Sequence, residues 1–144
     1  MINLADIQGR NRVIVESVTP ELEGGRFFIK SVPQEIIKVE ADIYCDGHDK
    51  IAARLLYKHG LDDKWSEVPM RFITNDRWGG SFVVEKEGFY SYTIEAWVDN
   101  LASWEHEIKL KIRDAQHVNS ELLGGATLLE KIVEQASDED KAAI

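Results

Sequence analysis

The sequence lacks the features that define several classes of protein. It has one cysteine in 144 residues, so no disulfide bond can form within the chain, which fits a reducing compartment. The first twelve residues contain no long apolar stretch, so we predict neither a signal peptide nor a membrane span. These absences together indicate a soluble protein of the cytoplasm.

A surplus of positive charge is also missing. The chain has 17 lysines and arginines against 26 aspartates and glutamates, and its formal net charge is −9. No basic stripe is present that would neutralise nucleic-acid phosphates, and attraction to an anionic membrane is disfavoured for the same reason. We therefore expect neither nucleic acid nor a membrane as a partner.

What the sequence does contain, as far as Ile112, is a repeated alternation of apolar and polar residues. This period of two predicts half-buried antiparallel strands. The strands are predicted at residues 12–18, 37–45, 51–57, 65–73, 78–84, 88–98 and 104–113, with a further candidate at 26–30. The alternation looks clearest in the last of them, where one side carries Trp104, His106, Ile108, Leu110 and Ile112.

Short strands with one apolar face each must bury those faces against a second sheet. We therefore predict a mainly β fold in which residues 1–113 form an immunoglobulin-like antiparallel β-sandwich, with a closed barrel as the alternative. Tyr90, two residues after Gly88, is placed where a tyrosine corner would lie.

After Arg113 the spacing becomes helical, so residues 114–144 are predicted to be a helical appendage. From Asn119 an apolar stripe is formed by Leu122, Ala126, Leu129 and Val133. Gly124 and Gly125 interrupt this helix at a cost of roughly 2 kcal/mol against alanine, which indicates close backbone packing. A second helix is predicted to begin at Ser137 and has no stop signal, so we expect an amino-terminal piece of a longer protein.

The histidines and the cysteine do not suggest a catalytic or metal site. His106 falls on the apolar side of its predicted strand and is expected to be a core residue. His48 lies in a turn, while His59 and His117 lie in polar, loop-like segments without a partner at metal-ligand spacing. Cys45 falls on a buried side and is interpreted as a small hydrophobic residue.

The carboxylates and glycines give no firmer candidate. Asp42, Asp46 and Asp49 cluster near one turn, but they lack the full ligand series of a calcium loop, so a solvated turn is the better interpretation. Gly24-Gly25 does not open a helix and is expected to be a turn. We predict no catalytic residue, no metal and no cofactor, and the sequence identifies no substrate-binding residue.

The tryptophans are more informative. Trp78 and Trp104 follow the apolar registers of their predicted strands, so both are expected in the core. Trp97 shares its side with Ser91, Thr93 and Glu95, which places an indole on the wet face of a sheet. Trp65, at the end of a polar loop, is ambiguous. Such indoles stack on sugars, are covered by a neighbouring domain or subunit, or are covered by the carboxy-terminal helix; Trp97 and Trp65 are our interface candidates.

Several short motifs occur in an order that is specific when they are taken together. Over residues 9–133 the sequence resembles the amino-terminal domain of the bacterial α-1,4-glucan:maltose-1-phosphate maltosyltransferases. The motifs are Val18-Thr19-Pro20-Glu21-Leu22, Gly24-Gly25-Arg26, Asp46-Gly47-His48-Asp49, Val68-Pro69-Met70, Asn75-Asp76-Arg77-Trp78 and Glu95-Ala96-Trp97-Val98-Asp99, with Trp104 beyond them.

The resemblance implies a β-sandwich followed by helices that takes part in homodimer formation. It also implies that the catalytic carboxylates lie in a downstream (β/α)8 barrel, which needs about 250 residues and is not contained in this chain. Two functions remain: a non-catalytic accessory and assembly domain of such an amylase-like enzyme, or an α-glucan binding module of another one.

Overall fold

The computed structural model describes residues 13–20 and 29–136, and within them the chain is mainly β. The strands precede two helices, in agreement with the predicted order. The elements are β1 Val13–Thr19, β2 Ile29–Ser31, β3 Ile36–Cys45, β4 Ile51–His59, β5 Ser66–Pro69, β6 Arg71–Thr74, β7 Arg77–Val83, β8 Gly88–Val98, α1 Asn100–Arg113 and α2 Asn119–Gln135.

The strands form two four-stranded sheets, which confirms the antiparallel two-sheet prediction. The first sheet has the order β1-β3-β7-β6 and the second has the order β2-β8-β4-β5. All neighbouring strands in both sheets run antiparallel. The longest ladder joins β4 to β8, from the Ile51–Val98 pair to the His59–Tyr90 pair.

The core lies between the inner faces of the two sheets and follows the predicted alternation. On β3 and β4, the buried positions alternate with half-buried or exposed ones, as expected for strands with one wet face. The rings of Tyr57 and Phe82 stack across the core with 4.2 Å between their centroids. The buried apolar residues of this cluster are Ile37, Val39, Ala41, Ile43, Ala53, Leu55, Met70, Phe82, Val84 and Tyr90.

The single strand predicted at residues 65–73 is wrong, because the chain changes sheets at Met70. β5 pairs with β4 in the second sheet, and β6 pairs with β7 in the first. Met70 is buried between them, and its backbone N–H donates to the carbonyl of Ala53 at 2.9 Å. Phe72 consequently lies on an edge strand and is 58% exposed, although a buried position was predicted.

The turn before β8 shows the geometry expected of a tyrosine corner. The hydroxyl group of buried Tyr90 accepts a hydrogen bond from the backbone N–H of Lys86 at 3.1 Å. Gly88 opens the strand with φ at +142°, a backbone conformation that favours glycine. A side chain on Gly88 would also collide with the ring of His59, whose Nε2 atom lies 2.5 Å from the ideal Cβ position.

His59 is not a loop residue, contrary to prediction. It ends β4, is 6% exposed, and packs edge-on against Tyr90. Its Nδ1 atom accepts from the backbone N–H of Leu61 at 3.2 Å, so Nε2 carries the proton that faces the carbonyl of Glu87 at 3.2 Å. Both ring nitrogens therefore serve the structure of the adjoining turns.

The largest correction concerns residues 104–113, which form a helix and not a strand. α1 begins after Asp99, whose carboxylate accepts from the backbone N–H of Ala102 at 2.9 Å. Because side chains in a helix do not alternate, His106 is exposed on α1 and is not a core histidine. Ile108 is the buried residue of this helix, whereas Ile112 is 59% exposed.

This correction moves the predicted domain boundary away from Arg113. The chain divides into two compact units, one of Met1–Gly47 with Ile51–Val98 and one of His48–Lys50 with Asp99–Ile144. α1 therefore belongs with α2 and not with the sandwich. The predictions for Gly24-Gly25, for residues 26–28 and for a helix from Ser137 lie outside the described residues.

α2 forms over the predicted segment and packs on α1 through a glycine. The indole of Trp104 lies against Gly125, and its Nε1–H donates to the carbonyl of Glu121 at 2.6 Å. Trp104 is half-buried, as a core-type residue, but on a helix and not on the predicted strand. The close backbone packing expected at Gly124-Gly125 is confirmed at Gly125 alone, because no described atom outside the local backbone of α2 lies within 4 Å of the ideal Cβ position of Gly124.

Candidate interface on the outer face of the second sheet

Both interface candidates lie on the outer face of the second sheet, which we call the indole face. Trp97 is in β8 opposite Ala52 of β4, and Trp65 immediately precedes β5. Each indole is 45% exposed. The indole face comprises Ala52, Arg54, Leu56, Lys58, Trp65, Glu67, Ser91, Thr93, Glu95 and Trp97.

The alternation of β4 and β8 explains why these side chains point outward. Ala53 and Leu55 of β4 enter the core, so their neighbours Arg54 and Leu56 must face the opposite side. Buried Tyr90 sets the inward register of β8, which leaves Glu95 and Trp97 outside. The wet-face position predicted for Trp97 agrees with this register.

Arg54 is the central polar residue of the indole face. Its guanidinium group contacts Glu67 at 2.7 Å through Nη1 and Glu95 at 2.7 Å through Nη2. The same group lies over the ring of Trp97, with 5.8 Å from Cζ to the ring centroid, within cation–π range. Hydrogen bonding to Glu95 is the largest influence that raises the pKa of Arg54.

Trp65 has a simpler environment than Trp97. The ammonium group of Lys58 lies 5.1 Å from the centroid of its ring. Within residues 13–20 and 29–136, no carboxylate makes an ion pair with Lys58. The two indoles mark opposite ends of the face, separated along β4 from Ala52 to Lys58, about 20 Å at ~3.3 Å per residue.

A groove of about 520 Å³ adjoins Trp97 at the β5 edge of the sandwich. Its polar wall is formed by Arg54 and Glu67, and the guanidinium group of Arg54 is already paired with Glu67 and with Glu95. The remaining lining is largely apolar and consists of Ile51, Ala52, Ala53, Val68, Pro69, Met70, Trp78 and Trp97. A surface of this kind can accept an apolar side chain.

The other candidate residues are not brought together into a site. Asp42 accepts from Arg77 Nη1 at 3.2 Å, and Asp46 and Asp49 lie in the exposed turn after β3. His48 and His117 are exposed, and Cys45 is half-buried. In the part of the chain that the structure describes, no three histidine, cysteine or carboxylate side chains are grouped as a metal would require.

Sequence reasoning missed Arg54 as the neighbour of Trp97. The available signal was the cationic pair Arg54 and Lys58 on the wet side of one strand, opposite Glu95 on another. That signal becomes specific only when the β4–β8 register is known, and the sequence does not fix which strands pair.

Neither described helix is long and apolar enough to span a bilayer.

The chain matches a family of known proteins over most of its length. The family model for alpha-1,4-glucan:maltose-1-phosphate maltosyltransferase, domain N/S, matches residues 11–144. A protein named alpha-1,4-glucan:maltose-1-phosphate maltosyltransferase from Chlorobaculum tepidum is 43% identical over 136 residues, which cover 94% of this chain and 20% of that protein.

Two further relatives have the same name. The protein from Myxococcus xanthus is 44% identical over 86% of this chain and 19% of its own length. The protein from Cereibacter sphaeroides strain ATCC 17023 is 40% identical over 100% of this chain and 21% of its own length. The chain thus spans about a fifth of the relatives that it matches. It belongs to the alpha-1,4-glucan:maltose-1-phosphate maltosyltransferase family, in which it corresponds to domain N/S.

Proposed function

We propose that this chain is a non-catalytic accessory and assembly domain of a maltosyltransferase that extends α-1,4-glucans from maltose 1-phosphate. The indole face is the surface through which it contacts a neighbouring domain or a second subunit. The observation that carries this proposal is the pair of half-exposed indoles on a face whose central arginine is already paired with two carboxylates.

Size supports a non-catalytic role. Amylase-like glycosyl transfer uses two carboxyl groups across the glycosidic bond, supplied by a (β/α)8 barrel of about 250 residues. The chain covers only about a fifth of its relatives, so the remaining four-fifths has room for such a barrel. As parts of this proposal, the catalytic residues lie elsewhere in the parent enzyme, and the parent enzyme is a homodimer of the cytoplasm.

The composition of the indole face supports contact with protein. Tryptophan and arginine are enriched at protein interfaces and dominate their binding energy, especially near the centre of a contact. Burying Arg54 there is made easier because Glu67 and Glu95 already satisfy its guanidinium group. The polar side chains of Ser91 and Thr93 suit a hydrogen-bonding rim.

The second candidate function is α-glucan binding, and one observation favours it. Trp65 shares the outer face with Trp97, so two sugar-stacking rings are available on one surface. The rings are offset by about 20 Å along the strands, however, and Phe89 on β8 lies about 26 Å from Trp97 along the strand. Each indole also has a cation over its ring. These spacings suit separate anchors of an interface better than one short oligosaccharide.

The test compares sugar binding with assembly. Calorimetry with maltoheptaose is performed on the chain and on its Trp97→Ala variant, and light scattering is performed on the full-length polypeptide with and without the same substitution. We expect no micromolar glucan binding by the chain and weaker assembly of the full-length variant. Micromolar binding that is lost in Trp97→Ala, with assembly unchanged, would establish the sugar-binding function instead.

A further inference from the structure

We propose that Arg77 of β7 locks β1 in a bulged register by holding Ser17 and Thr19 from across the intervening strand. The lock is independent of the indole face, because it lies on the outer face of the first sheet. It joins Thr19 to Arg77, which belong to two of the motifs that carry the family resemblance and have no part in the function proposed above.

β1 contains one residue more than the stretch of β3 that lies opposite it. Glu16 pairs with Asp42. The next pair is Thr19 with Glu40, so three steps along β1 match two steps along β3. Ser17 accommodates the extra residue with φ at +53°, a left-handed conformation that residues other than glycine adopt at a cost. The arrangement is a β-bulge, and it needs other contacts to stabilise it.

The bulge decides which residues of β1 enter the core. Val13, Val15 and Val18 pack against the buried cluster. Because side chains alternate along a strand, a ladder without the extra residue would bring Ser17 to the inner face and turn Val18 outward. Beyond Glu16, β1 therefore has two discrete registers, one bulged and one regular, and the burial of Val18 favours the bulged one.

Arg77 selects the bulged register from two strands away. In the first sheet β3 separates β1 from β7, a span of about 10 Å at ~4.8 Å per strand. The guanidinium group crosses β3 and donates to the carbonyl of Ser17 at 2.8 Å through Nη1 and to Oγ1 of Thr19 at 2.6 Å through Nη2. Both acceptors face this group only when the extra residue is present, because the regular register would turn Thr19 inward.

The carboxylates of β3 orient the guanidinium group as it crosses. Glu40 lies 3.1 Å from Nε of Arg77, and Asp42 lies 3.2 Å from Nη1. These carboxylates are partly exposed, so we assign the lock to the two bonds with β1 and not to the ion pairs. Hydrogen bonds from a charged donor are roughly twice as strong as neutral ones, so loss of both should release residues 17–19.

The test follows β1 by nuclear magnetic resonance in the chain and in Arg77→Met. The parent chain should show nuclear Overhauser contacts between Thr19 and Glu40, together with the backbone chemical shifts of a left-handed Ser17. In Arg77→Met we expect both signatures to be lost and amide exchange at residues 17–19 to become roughly tenfold faster or more. The contact between Val15 and its partner on β3 should persist, since the core holds that part of β1.

Two further variants separate the lock from a general loss of charge. Arg77→Met also leaves Glu40 and Asp42 without their cation, so it is repeated in a Glu40→Gln, Asp42→Asn background, where the two carboxylates cannot repel each other. Lys38→Met is the matched control, because it removes a cation two residues before Glu40 on the same side of β3 and should leave β1 unchanged.

Two substitutions in β1 itself complete the test. Thr19→Val removes the hydroxyl acceptor alone and should weaken the bulge signatures in the same direction, which provides the readout if Arg77→Met does not fold. Ser17→Gly should restore the bulge in Arg77→Met, because glycine adopts the left-handed conformation without cost. A Thr19–Glu40 contact and a left-handed Ser17 that persist in Arg77→Met would overturn the proposal, and so would their loss in Lys38→Met.

Discussion

At the scale of single residues, two adjacent glycines in α2 have opposite requirements. An ideal Cβ on Gly125 would lie 2.2 Å from Cζ2 of Trp104, whereas no described atom outside the local backbone of α2 comes within 4 Å of a Cβ on Gly124. Only Gly125 therefore needs to be glycine for packing. Gly124 occupies an ordinary exposed helix position, at which glycine is less favourable than alanine.

We expect Gly125→Ala to destabilise the α1–α2 pair by about 1–3 kcal/mol, the usual range for overpacking, because Trp104 must move. Displacement of the indole also breaks its hydrogen bond to the Glu121 carbonyl. Denaturant unfolding followed by the helical circular dichroism signal measures the effect.

The matched control is Gly124→Ala, which should stabilise the helix by up to about 1 kcal/mol. The two variants differ by the position of one methyl group, so helix propensity is the same for both. Equal midpoints for the two would show that Trp104 does not pack on Gly125 as described.

At the scale of elements, α1 shows how an alternating pattern can mislead. Trp104, His106, Ile108, Leu110 and Ile112 alternate with charged residues, which is the signature of a half-buried strand. The charged residues themselves contained the contrary signal. Glu105 pairs with Lys109 and Glu107 pairs with Lys111, both at the i,i+4 spacing that stabilises helices.

The helix makes a prediction that the strand would not. In a strand, Ile108 and Ile112 share one face and should be equally costly to truncate. In α1, Ile108 is 6% exposed and Ile112 is 59% exposed. We expect Ile108→Ala to cost about 2–5 kcal/mol of unfolding free energy and Ile112→Ala to stay within about 0.5 kcal/mol. Similar losses of unfolding free energy from both substitutions, measured by denaturant unfolding, would instead support a strand at residues 104–113.

An ion pair between the two helices predicts a dependence on pH. Lys111 pairs with Glu121 of α2 and with Glu107 of its own helix, the latter at 2.9 Å. Hydrogen bonding to Lys111 is the largest influence that lowers the pKa of Glu121 from its usual 4.5 to about 2. Because the folded pKa is the lower one, this contribution to stability is present above about pH 4.5 and is lost as pH falls toward 2.

We therefore expect the free energy of unfolding to fall more between about pH 5 and pH 2.5 in the parent chain than in Glu121→Gln, which has no carboxylate at that position. Other carboxylates titrate in both proteins, so only the difference between them reports on Glu121. Parallel pH profiles for the two, from denaturant unfolding at each pH, would show that this pair contributes nothing to stability.

Prediction from sequence succeeded for features that depend on the residue pattern of a single strand. The registers of β3, β4 and β8 follow from their own apolar positions, and so did the exposure of Trp97. Prediction failed for features that depend on which other strands or turns lie beside a residue. The placement of Arg54 over Trp97 depends on the pairing of three strands, and the burial of His59 depends on the turn before β8.

At the scale of the whole molecule, we expect the isolated chain to have no glycosyl-transfer or hydrolase activity. No residue was assigned to a nucleophile or acid/base role, and the chain covers about a fifth of the maltosyltransferases that it resembles. The assay supplies maltose 1-phosphate and an α-glucan acceptor to purified chain, with a mock purification as the blank. Turnover above that blank would place catalytic residues within these 144 residues.

The chain crosses from one sheet to the other at Met70, and this crossing couples the edge strands β5 and β6 to each other. β5 and β6 are separated by this one residue, which is buried and hydrogen-bonded to β4, so neither strand can leave its sheet without pulling on the other. Edge strands normally fray independently and exchange their amide protons early. Here the amide protons of residues 66–68 and 71–74 should exchange with solvent at matched rates, so that two edges in different sheets open as a single event.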